Sequence, residues 1–142
     1  MVGIDRWGKE YASFSQNLCM RNAGAEGVSN VLFLKGDANK LPFDDESFDA
    51  VTSNYVYHNI AAKDRKDLIK ETLRCLKKGG TFAIHDIFSK AKYGDMQKLI
   101  QELKKSGYEE VQLIDTTKGM FMSRREALTM GLSGSAILYG KK

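Results

Sequence analysis

The sequence predicts an α/β fold, with a mostly parallel sheet, helices on both faces and an antiparallel strand at its C-terminal edge. Three observations point there. Short apolar runs alternate with amphipathic segments along most of the chain, the order that builds a parallel sheet from strand–helix–strand units. The run at residues 31–34 is continuous in apolar character, as strands covered on both faces are, and residues 81–87 read as another buried strand. Towards the C-terminus the alternation gives way to two short strand-like stretches bridged by a mixed loop and a short helix, which suits an added antiparallel edge.

Taken in order, Val2, Gly3 and Ile4 read as a short strand, with Asp5 where its carboxyl end opens into a loop. Residues 9–22 carry Tyr11, Phe14 and Leu18 at helical spacing and run into a glycine-containing stop at residues 24–27. The run at 31–34 closes on Lys35-Gly36-Asp37, and residues 48–53, FDAVTS, give the next strand. Residues 63–76 place Leu68, Ile69, Leu73 and Leu76 on one helical face, and Gly79-Gly80 is expected to end that helix. After the strand at 81–87, Met96, Leu99, Ile100 and Leu103 mark a helix stopped at Gly107. Residues 111–114 and 136–139 supply the last two strands.

The chain has 142 residues, 42% of them hydrophobic, which is enough for one core, so a single domain over 1–142 is expected. Its net charge of +4 is spread along the chain, and the densest basic stretches are interleaved with apolar or acidic residues, the pattern of solvated helix faces. A small-molecule partner is therefore favoured over nucleic acid. Cys19 and Cys75 lack the close spacing of metal or redox pairs and read as small buried hydrophobes, and with only His58 and His85 as further soft ligands no metal is expected. No apolar run approaches the roughly 20 residues of a membrane span and no signal peptide stands out, so a cytoplasmic location is expected.

In such sheets ligands bind beyond the carboxyl ends of the strands, where loops vary over a rigid frame. Those ends are Asp5-Arg6-Trp7, Gly36-Asp37-Ala38, Ser53-Asn54-Tyr55 and His85-Asp86. A strand-end carboxylate accepts hydrogen bonds from both ribose hydroxyls, which suits Asp5. Trp7 offers an aromatic face for a purine, Asp37 an acceptor for an exocyclic amino group, and Ala38 a backbone N–H for a ring nitrogen. Each also has an ordinary reading: Asp5 as the cap of the next helix, Trp7 as core, Asp37 as the shaper of a turn at Gly36. Their joint order describes an adenosine site.

With these residues in place, the chain resembles the class I, Rossmann-like S-adenosylmethionine-dependent methyltransferases. VGIDRW resembles that family's second strand with its ribose-binding acid, and LKGDANKLPFDDESFDAVTSNYVYHNI its adenine-binding turn and fourth strand. LRCLKKGGTFAIHDIF resembles the helix, glycine turn and fifth strand that follow, and GSAILYGKK suits the last strand. The resemblance implies S-adenosylmethionine as cofactor, S-adenosylhomocysteine as product, and Asp5, Arg6, Trp7, Gly36, Asp37, Ala38, Asn54 and Tyr55 as cofactor contacts. It also puts substrate or methyl-proximal contacts at Asn54 and Tyr55, with Tyr57 and His58 nearby as candidate catalytic groups, His58 as a general base. The ordinary reading of that histidine is a local cap or packing residue. His85 and Asp86, being neighbours on a strand, point to opposite faces and are not expected to pair.

The family's glycine-rich loop would lie about 20 residues before Asp5, so the chain is expected to be either a fragment or a natural product lacking a central strand. Two remedies for the resulting open edges are expected: the first strand pairs directly with that at 48–53, or two copies complete each other's sheet as a homodimer. A catalytically inactive binding or assembly module derived from the same fold is an alternative function. A nicotinamide-dependent oxidoreductase, whose second strand also ends in a ribose-binding acid, is another, and the GDA turn with LPFDDESFDAV fits the methyltransferase pattern better.

Overall fold

A computed structural model describes residues 1–8 and 13–142, which fall into two compact units, Met1–Pro42 and Phe43–Lys142. In the first unit β1, Val2–Asp5, and β2, Leu32–Lys35, form a parallel pair in which Val2 faces Leu32 and Asp5 faces Lys35. Helix α1, Gln16–Ala25, follows β1 in sequence and is capped by the Ser15 hydroxyl, which accepts from the Leu18 N–H at 3.2 Å. The expected helix over 9–22 thus forms later in the chain, and its first positions, Tyr11 among them, lie outside the described residues. Gln16 ties α1 to β2 by donating to the Phe33 carbonyl at 2.6 Å.

The expectation that residues 31–34 are buried on both faces is corrected: Leu32 is 53% exposed, and no described residue of Met1–Pro42 is buried. The same holds for α1, whose expected apolar face leaves Phe14 exposed and Leu18 half-buried, because polar residues such as Gln16, Asn17, Arg21 and Asn22 surround the helix. Cys19 is likewise only half-buried, whereas Cys75 is fully buried.

The second unit holds β3, Phe48–Asn54; a 3₁₀ turn, Tyr57–Asn59; α2, Arg65–Arg74; and β4, Leu76–Ile87. It continues with α3, Lys90–Tyr93; α4, Met96–Lys105; β5, Glu110–Asp115; α5, Arg124–Thr129; and β6, Ser135–Lys141. Its sheet order is β3-β4-β6-β5, parallel between β3 and β4 and antiparallel on both sides of β6. The C-terminal strand is therefore antiparallel as expected but lies inside the sheet, with β5 outermost. Gly140 permits that insertion, since a Cβ there would lie 1.9 Å from the Glu110 carbonyl oxygen.

Helix α2 ends at Arg74, short of the glycine pair that was expected to stop it. Its last carbonyls are taken from outside the helix: Glu46 donates to Arg74 at 3.0 Å and Phe48 to Cys75 at 2.9 Å, and the chain turns at once into β4. Gly79-Gly80 instead bends the start of β4, with φ of 76° at Gly79. At Gly80 any Cβ would press on the backbone oxygens of Asp49 and Lys77. The core of this unit joins Leu68, Ile69 and Leu73 of α2, Leu99 and Leu103 of α4, and Ile84 and Leu138 of the sheet. Each such side chain contributes about 1.5–3 kcal/mol through burial.

The expected direct pairing of the first strand with that at 48–53 is not found: β1 hydrogen-bonds to β2, and β3 to β4. With both faces of a strand pair committed by backbone geometry, register is set where apolar partners already oppose each other, as at Val51 and Phe82.

Candidate functional site

In the first unit the carboxyl ends of β1 and β2 form one rim, since the strands are parallel and in register up to Asp5 and Lys35. The Gly36 N–H continues the ladder by donating to the Asp5 carbonyl at 2.9 Å, and Asp37 follows it in the chain, two residues past the end of β2. A side chain at Gly36 has no room, because its Cβ would meet Ile4 Cδ1 at 2.3 Å. Asp5 accepts from the Trp7 N–H at 2.7 Å, a tight local turn that holds Trp7 in the left-handed region at φ 44°. The helix-cap reading of Asp5 is excluded, as Ser15 caps α1.

Asp37 Oδ1 accepts from the Asn39 backbone N–H at 2.8 Å and from Asn39 Nδ2 at 2.9 Å. These bonds, the backbone one foremost, hold its carboxyl below the usual carboxylate range, and the charge of Arg6 adds to the effect. Both carboxylates are exposed, Trp7 and Ala38 are half-buried, and Arg6 is exposed beside them. Of the residues the sequence singled out, Asp5, Arg6 and Trp7 lie at and just beyond the end of β1 and Gly36, Asp37 and Ala38 just beyond the end of β2, and sequence reasoning missed Asn39, whose two donors fix the Asp37 side chain. An Asx pattern in GDAN was the available signal. The acceptor chemistry fits the nucleoside end of the expected cofactor: acceptor-only carboxylates are what ribose hydroxyls and an exocyclic amine require.

In the second unit the end of β3 carries Asn54 and Tyr55, with Asn54 opposite His85 in the parallel ladder. Asn54 Oδ1 only accepts, so His85 Nδ1 carries the proton of their 3.0 Å contact and Nε2 is the acceptor. The hydroxyl of Ser135 reaches that nitrogen at 2.9 Å, and itself receives Thr116 at 2.9 Å and the Tyr55 phenol at 2.5 Å. The outcome is an ordered chain of donors, Tyr55 to Ser135 to His85 to Asn54. Burial depresses the His85 pKa, partly opposed by the neighbouring charge of Asp86. Tyr55 is held at φ 52°, a strained backbone position at the strand end.

His85 and Asp86 do not pair, as the alternation of strand side chains requires. Asp86 instead meets His58, whose Nδ1 lies 2.6 Å from Asp86 Oδ1, a contact that sequence reasoning missed because it joins a turn after β3 to the end of β4. Of the two candidate catalytic groups, Tyr57 is 4% exposed, with its hydroxyl paired to Thr72 Oγ1 at 2.6 Å and its ionisation pushed up by burial. Its side chain belongs to the core. Met120 and Phe121 are 52% and 62% exposed and so are not core residues. No group of metal-ligating side chains occurs among the described residues, and no described helix is long and apolar enough to cross a membrane.

A family profile described as "Methyltransferase domain" matches residues 1–84. Over 67 residues, 47% of this chain and 26% of the relative, the sequence is 39% identical to a methyltransferase named YcgJ from Bacillus subtilis. Over 66 residues, 46% of this chain and 25% of the relative, it is 46% identical to the ubiquinone/menaquinone biosynthesis C-methyltransferase UbiE of Pseudomonas paraeruginosa. The sequence matches thus span about a quarter of each of these curated relatives. The crystal structure of YcgJ superposes with a TM-score of 0.61 at 18% identity, covering 99% of this chain and 82% of that one. The [4+2]-cyclase SpnF superposes with a TM-score of 0.66 at 19% identity over 99% and 65% of the two chains. At such identities the superpositions speak for the fold alone, and a cyclase among them shows why.

Proposed function

The chain belongs to the methyltransferase domain family, and from that premise we propose that its first unit binds the nucleoside end of S-adenosylmethionine for transfer of a methyl group to a small-molecule acceptor. The observation that carries the reading is the shared rim of Asp5 and Asp37 at the ends of adjacent parallel strands. The Asp5 carboxylate accepts from the ribose diol, Trp7 covers one face of the adenine, Asp37 accepts from its exocyclic amine, and the Ala38 N–H reaches a ring nitrogen. When bound, the cofactor supplies an electrophilic methyl group on a sulfonium. The chain's own task is to fix the nucleoside and to orient the acceptor, since methyl transfer is an in-line displacement governed by alignment. Similarity to a quinone-pathway C-methyltransferase favours a hydroxylated aromatic acceptor over a nucleic acid.

Isothermal calorimetry with S-adenosylhomocysteine tests this directly. Binding at micromolar strength that Asp5→Ala weakens at least tenfold is the expected result, as a charge-assisted hydrogen bond contributes about 1.5–3 kcal/mol. No heat from the unaltered chain, or equal heat from Asp5→Ala, overturns the assignment.

A further inference from the structure

The exposed large hydrophobic residues of Phe43–Lys142, Val56 apart, are Met120, Phe121, Leu128 and Met130, all in the stretch between β5 and β6. Two of them turn to the sheet: Met120 lines a groove with Ile114 and Ile137, and the Phe121 ring lies 5.7 Å from that of His85. Leu128 and Met130 belong to helix α5 and its C-terminal end, and here the ordinary pattern is inverted. The buried residue of α5 is Ala127, while Leu128, its largest apolar side chain, is 74% exposed. At about 100° per residue, Leu128 falls between Arg124 and Arg125 around the helix, and Glu126 falls on the far side. Glu126 is also turned back on the chain, accepting from the Ser123 N–H and hydroxyl at 2.8 Å each. Both arginines are exposed, and neither makes an ion pair among the described residues. The helix is formed in advance: Ser123 and Glu126 close a capping box, and the Met130 N–H donates to the Glu126 carbonyl at 2.9 Å. Docking through it therefore requires little ordering of the chain.

We propose that α5 docks on an anionic phospholipid surface, with Leu128 and Met130 entering the acyl boundary and Arg124 and Arg125 reaching lipid phosphates. A guanidinium pairs with phosphate through two N–H donors, and its methylene stem covers the apolar residue beside it. Size decides against a protein partner. Six helical residues span about 9 Å, so their outward face is on the order of 100 Å², against the roughly 800 Å² each side gives to a standard protein interface. A bilayer surface, in contrast, accepts a few inserted side chains, and each neighbouring cation adds to the affinity. The contact is shallow and reversible, and it uses no residue of the nucleoside rim.

Co-sedimentation of the 142-residue chain with sucrose-loaded vesicles tests it. Phosphatidylcholine vesicles containing phosphatidylglycerol are expected to hold the chain at least tenfold more strongly than phosphatidylcholine alone, with release by added salt. Arg124→Gln with Arg125→Gln should weaken binding about tenfold to thirtyfold, and Leu128→Gln with Met130→Gln about tenfold. Lys104→Gln with Lys105→Gln removes the same charge from α4 and should leave binding within about twofold. All six positions are exposed, so unfolding midpoints are expected to match and to separate lost binding from lost fold. Absence of binding to the anionic vesicles, equal binding to the neutral ones, an equal loss in the lysine variant, or full binding by the Leu128→Gln, Met130→Gln variant overturns the proposal. Self-association without lipid that the same variant abolishes assigns the surface to a second copy and overturns it as well.

Discussion

At the scale of single residues, the proposed function divides nucleoside recognition between the two rim carboxylates. Asp37, fixed by Asn39, faces the base in this reading, so the chain is expected to prefer S-adenosylhomocysteine to its inosine analogue, which lacks the exocyclic amine. Asp37→Ala should erase that preference, roughly ten- to hundredfold by the worth of a hydrogen bond to a charged group, and competition calorimetry with both ligands reads it out. The two histidines differ through their partners. His85 is held with Nε2 as an acceptor from Ser135, and burial sets its folded pKa below the ordinary 6.5. The native state then binds fewer protons than the unfolded chain between those two values, so stability is complete above 6.5 and declines as pH falls through the window beneath it. Urea midpoints should therefore drop on acidification from pH 7.5 to 5.5, and His85→Asn should flatten that contribution. An unchanged slope in the variant would assign the effect to other groups. Asp5, Asp37 and their neighbours were legible from strand-end position alone. The His58–Asp86 contact was not, because it depends on a turn folding back across the parallel ladder.

At the scale of elements, helix α4 was readable in full: Met96, Leu99, Ile100 and Leu103 are its buried residues, and Gly107 follows its end at φ 95°. The stripe is strong because polar residues fill every other position. Leu99, with no exposed surface, should cost about 2–5 kcal/mol as Leu99→Ala, whereas its neighbour as Lys98→Ala should change urea stability by less than about 0.5 kcal/mol. Helix α2 shows the limit of the same reasoning. Its apolar face was evident, but its end is decided by Glu46 and Phe48, distant donors that take the last carbonyls. Strand β6 is likewise decided by a contact. Gly140→Ala would drive a methyl group into the Glu110 backbone and is expected to destabilise the sheet by about 1–3 kcal/mol or more, visible as a lowered midpoint in thermal unfolding. A stability equal to that of the unaltered chain would show that β5 yields at that point.

At the scale of the whole molecule, the buried core lies in Phe43–Lys142, while no described residue of Met1–Pro42 is buried. Opening free energies follow buried apolar contact, so amides of β4 and β6 should exchange with solvent orders of magnitude more slowly than those of β1 and β2. Equal protection of the two sheets, measured by hydrogen exchange with mass spectrometry, would contradict this. The sequence by itself determined the succession of strands and helices, the family resemblance and the rim of candidate nucleoside contacts. These follow from period, turn chemistry and chain order, which are local. Only the tertiary structure decided that β6 enters between β4 and β5, that the first two strands stay half exposed, and that His58 meets a buried Asp86. Each of those depends on which surfaces meet across long separations in the chain, and burial, unlike periodicity, belongs to the pair of surfaces and not to either segment alone.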